Sequence, residues 1–124
     1  MAGMGIPKAF QASGLAGESI FFDGKALSIP GAVKTIFTVV VGAGVTLNLT
    51  QINCSGQFEG LFRVLQNSDE IAWCRIRAGK PDPNFSWFPA RPIFEGDIVT
   101  VDFEQRSNSP AVEVSAFLMG AEQT

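Results

Sequence analysis

Residues 98–105 constrain the fold more than any other stretch of the chain. Val99, Val101 and Phe103 alternate with Thr100, Asp102 and Glu104. A period of two is what a strand with one buried face requires. Just before it, Glu95-Gly96-Asp97 reads as a tight turn, since glycine reaches positive φ cheaply and aspartate caps turns with its own carboxylate. Pro92 has no amide hydrogen for a ladder, which places the preceding segment at a sheet edge or a strand end. After the turn-rich residues 107–110, a further strand is expected over 112–119.

The same rhythm of turn and strand fills the chain from Val33 onward. Residues 35–41 are β-branched and end at Gly42-Ala43-Gly44. Residues 45–52 alternate, with Val45, Leu47 and Leu49 on one face. Over 61–65, Phe62 and Val64 are expected inward and Arg63 outward. A turn at 67–70 leads into 71–77, where Trp73 faces out with Ile71 and Arg75 if Ala72, Cys74 and Ile76 fill the core. Residues 79–84 break the chain before the aromatic strand 85–88. About seven or eight strands with no helical period predict an all-β fold, a single antiparallel β-sandwich or jelly roll. Eleven phenylalanines and no tyrosine suit a core of large rings that need no hydroxyl partners.

The first residues read differently. Residues 1–31 are rich in glycine and alanine and lack a long periodic segment, which predicts an extended N-terminal arm that lies against a neighbouring subunit. Within it, residues 19–29 read as a small hairpin that turns at Asp23-Gly24 in type I′ geometry. The sandwich domain is expected over residues 32–124. Residues 1–8 hold no charged segment before an apolar one, so no signal peptide is expected, and no apolar run is long enough for a transmembrane helix.

Composition narrows the partners. Charged residues are 17% of the chain, against about 25% in an average soluble domain. The surface that remains is rich in apolar and uncharged groups, as in proteins that pack against others. A net charge of −3 offers no electrostatic footprint for nucleic acid or an anionic membrane.

Histidine is absent. That removes the commonest general base, the Ser-His and Cys-His pairs and most catalytic zinc sites, so no catalytic residue, cofactor or metal ligand is predicted. Asp69, Glu70, Asp97, Asp102 and Glu104 read as solvated turn and strand-face carboxylates rather than a glycosidase pair. Asp82 with Asn84, and Asn67 with Asp69 and Glu70, offer too few oxygens for calcium. Cys54 and Cys74 read as buried free thiols, with a disulfide as the alternative. Trp73 and Trp87 each suit the core, a protein interface or a sugar platform. Arg63, Arg75, Arg77 and Arg91 read as strand-face residues that pair with acidic partners. The interface candidates are Phe10, Phe21, Phe22, Trp73, Arg75 and Trp87.

Residues 36–50, 60–64, 91–103 and 113–120 together resemble small virion proteins of bacteriophages. The similar proteins are the β-sandwich decoration, or cement, proteins of tailed phages and structural proteins encoded near them. The likeness spans residues 33–120. It implies a homo-oligomer, commonly a trimer, that is assembled in the host cytoplasm. On the capsid exterior it would clamp neighbouring subunits of the major capsid protein, and no catalytic residues come with it. A tail-associated adhesion module that binds a host surface glycan through a tryptophan is the second reading. A soluble intracellular hydrolase is the third and the least supported.

Overall fold

The computed structural model describes residues 17–56, 59–77, 82–106 and 109–124. All of its regular elements are strands: β1 (Glu18–Leu27), β2 (Val33–Val40), β3 (Thr46–Ser55), β4 (Gly60–Gln66), β5 (Asp69–Ile76), β6 (Asn84–Ile93), β7 (Ile98–Gln105) and β8 (Glu113–Gln123). They form two four-stranded sheets, β1-β8-β3-β6 and β2-β7-β4-β5, with antiparallel pairing throughout. The chain changes sheet at every connection except β4–β5. This order is that of an eight-stranded jelly roll, as the alternating pattern predicts.

The alternation in β7 works as expected. Val99, Val101 and Phe103 are fully buried, while Thr100 and Glu104 are half-buried on the other face. Phe103 lies opposite Phe62 in the β4–β7 ladder, and the two rings meet with centroids 4.6 Å apart. In β3 the buried set switches phase, from Leu47 and Leu49 to Ile52 and Cys54. A β-bulge at Thr50 inserts one residue against β8, and its hydroxyl donates to the Met119 carbonyl at 2.9 Å. The turn at 94–97 also forms. Gly96 has φ of 82°, and the Asp97 carboxylate accepts from the Phe94 amide at 3.2 Å. Pro92 sits in the edge strand β6.

The expected hairpin at 19–29 does not form. β1 runs straight through Asp23-Gly24 and pairs with β8 over all ten residues without a register shift. Gly24 serves close packing rather than a turn. A Cβ there would lie 2.9 Å from Phe37 Cβ and 3.0 Å from the Ile36 carbonyl oxygen, so β2 can approach only a glycine. The division at residue 31 moves with it, because β1 is an edge strand of the sandwich and not part of an arm. Phe10 and the rest of residues 1–16 lie outside the described residues.

A buried polar knot fastens the β1–β2 connection. Ser28 and Gln105 are both buried, and the Ser28 hydroxyl donates to Gln105 Oε1. Gln105 Nε2 donates to the Ser109 carbonyl at 2.7 Å, and the Val112 amide donates to Ser28 Oγ at 3.0 Å. A buried amide side chain persists only when its hydrogen bonds are made. Gln105 continues the inward parity of Val101 and Phe103, which is the signal that its side chain points in.

Candidate interaction surfaces

Residues directly opposite one another in an antiparallel ladder share a face, so the pairing registers assemble the outer surface of each sheet. On the β2-β7-β4-β5 sheet, one row runs Trp73, Arg63, Asp102, Thr35 and the next runs Arg75, Leu61, Glu104, Val33. Arg63 Nε and Nη2 donate to the two carboxylate oxygens of Asp102 at 3.1 and 3.3 Å. That paired hydrogen bond, opposed by modest burial, pushes the Arg63 guanidinium pKa above its ordinary value. Trp73 is 60% exposed beside the pair, and Arg75 is exposed two residues along the same face. Val33, Val40 and Ile98 add exposed apolar area on the same sheet.

The outer face of the β1-β8-β3-β6 sheet is more polar. It holds an open depression of about 410 Å³, lined among others by Asp23, Lys25, Asn53, Asp82, Asn84 and Phe117. Gln51 Nε2 donates to Asn53 Oδ1 at 3.2 Å and to Asn84 Oδ1 at 2.9 Å, which sets the polar floor. The Gly56 amide donates to Asp82 Oδ1 at 3.3 Å. Phe21 is 62% exposed and stacks on Phe117 with centroids 5.7 Å apart.

The candidate residues do not converge. Phe21 and Phe22 point to opposite faces of β1, and Phe22 meets Phe37 edge-on at 5.2 Å. Trp73 and Arg75 share the outer face of the other sheet. Trp87 is half-buried and packs against the core. Its neighbour Phe88, absent from the sequence candidates, is 88% exposed. Residues 87–90 stand opposite Thr50 alone, because the β3–β6 register passes from Leu49–Arg91 directly to Gln51–Ser86. They leave the ladder and carry Phe88 outward. Two prolines close together, Pro89 and Pro92, are the sequence signal for that departure.

Among the described residues, no three His, Cys, Asp or Glu side chains gather as a metal site. Cys54 and Cys74 are both free, the first buried and the second half-buried. Burial, then the neighbouring Cys74 and Asp82, push the Cys54 thiol up to about 12. A thiol held protonated in this way is a packing group rather than a nucleophile. Compared with known proteins, the chain matches no family model, no curated protein and no solved structure.

Proposed function

We propose that this chain is a non-enzymatic virion structural protein, a capsid decoration subunit of a tailed phage that bridges and stabilises major capsid protein subunits. The supporting observation is the exposed apolar surface, above all Trp73 beside the Arg63–Asp102 pair and Phe88 on its excursion from β6. Tryptophan and arginine are enriched among the few residues that carry most of the binding energy of protein interfaces. The resemblance of residues 33–120 to phage cement proteins supplies the identity of that partner. Virions lacking the protein should release DNA at a lower temperature and adsorb to cells at the normal rate, because a bound clamp stabilises the assembled shell. Trp73→Ala and Phe88→Ala should leave the domain folded and lower its retention on purified particles.

The depression on the β1-β8-β3-β6 sheet favours a second reading, an adhesion module for a host glycan. Its amides and carboxylates suit sugar hydroxyls, and Phe117 offers a ring face to sugar C–H groups. In that case, shells stay heat-resistant, adsorption slows, and Asn84→Ala reproduces the defect while Trp73→Ala does not.

A further inference from the structure

The four edge strands are not protected alike. β2 is interrupted by a bulge at Ile36, β5 by one at Ile71, and β6 by its excursion at 87–90 together with Pro89 and Pro92. Such devices keep sheet edges from pairing with other chains. β1 has none of them: it is ten residues long, free of proline and in unbroken register with β8. Among the described residues, no backbone hydrogen bond joins its other edge to any strand. Phe21 and Leu27, 62% and 64% exposed, flank Asp23 and Lys25 on its outer face.

We propose that this edge pairs, antiparallel and about a two-fold axis at Gly24, with β1 of a second copy of this chain, which joins two sheets into one of eight strands.

The side chains select both the occupant and the register. Opposed residues in an antiparallel pair lie on one face, so a two-fold pairing must set one residue opposite its own copy. With Asp23 or Lys25 in that position, like charges face each other. With Phe22 there, each Phe21 faces a carboxylate. With Gly24 there, Asp23 faces the copy's Lys25 twice and Phe21 faces its Leu27 twice. Opposite charges and aromatic-aliphatic pairs are the favourable cross-strand combinations, and directly opposed like charges are unfavourable. Phe22 then faces Ala26, a small residue, on the inner side. The contact is two-fold, where the likeness to cement proteins implies a three-fold one, and it does not depend on the partner proposed above.

Sedimentation of the purified full-length chain tests the pairing. The wild type should be a dimer. Asp23→Lys and Lys25→Asp should each raise the dimer dissociation constant at least about tenfold, with unchanged circular dichroism because both residues are exposed. The double swap, D23K with K25D, should restore the dimer. A wild-type monomer, as an edge covered by this chain's own first residues would give, overturns the proposal. So does a trimer, a single variant that remains dimeric, or a double swap that fails to rescue.

Discussion

Arg63 and Asp102 face each other across the β4–β7 ladder and are joined by two parallel N–H···O bonds. The carboxylate is the more enclosed partner, with a side-chain exposure of 9% against 29% for the guanidinium. Removing the arginine therefore strands a nearly buried charge, whereas removing both leaves an apolar strand face. Arg63→Met should cost about 2–4 kcal/mol, and adding Asp102→Leu should recover most of that loss. Urea unfolding of the two single variants and the double variant measures it. A loss in the double variant equal to the sum of the two single losses would show that the pair is not coupled.

Val101→Asp should abolish folding, because it places an unpaired carboxylate in the fully buried layer between the sheets. That cost is several kcal/mol against a total stability of roughly 5–15 kcal/mol. Thr100→Asp, on the outer face one residue away, should be mild. Circular dichroism of the two variants distinguishes them, and the reverse outcome would require the opposite register for β7.

Acid should weaken the β6–β7 turn. Hydrogen bonds from Asn67, from Gln66 and from the Phe94 amide hold the Asp97 carboxyl below its ordinary pKa. A depressed native pKa adds stability that is fully present above the unfolded value of about 3.9. That stability is lost as pH falls through the lower native value. The difference in melting temperature between wild type and Asp97→Asn should thus be largest near about pH 6 and shrink toward about pH 3. A constant difference would assign the turn's stability to backbone geometry alone.

The two cysteines should react unequally. With its thiol pushed up to about 12 and its side chain buried, Cys54 stays protonated near about pH 8 and resists alkylation. Cys74 is partly accessible. Native protein should therefore take up one label per chain and urea-unfolded protein two, with peptide mass spectrometry placing the first on Cys74. Prompt native labelling of Cys54 would contradict its burial between the sheets.

The sequence by itself determined the class of fold and the inward faces of its best strands. Alternation is a local property, so Val99, Val101 and Phe103, or Phe62 and Val64, declare their buried side without any knowledge of their partners. Glu95-Gly96-Asp97 is equally local, since its turn is closed by a glycine φ and a carboxylate a few atoms away. Only the tertiary structure decided which strands pair. The chain changes sheet at nearly every connection, and β1 finds β8 at the opposite end of the sequence. For that reason Asp23-Gly24, a good hairpin turn by local chemistry, lies in a straight strand. The ten-residue ladder with β8 and the close approach of β2 at Gly24 outweigh the turn's own preference. Bulges are just as non-local: Thr50 shifts the phase of β3 only relative to its neighbours. The exposure of Phe88 depends on the excursion from β6, and Gln105, inward by its parity in β7, has its buried amide satisfied only because Ser28, far away in sequence, donates to it.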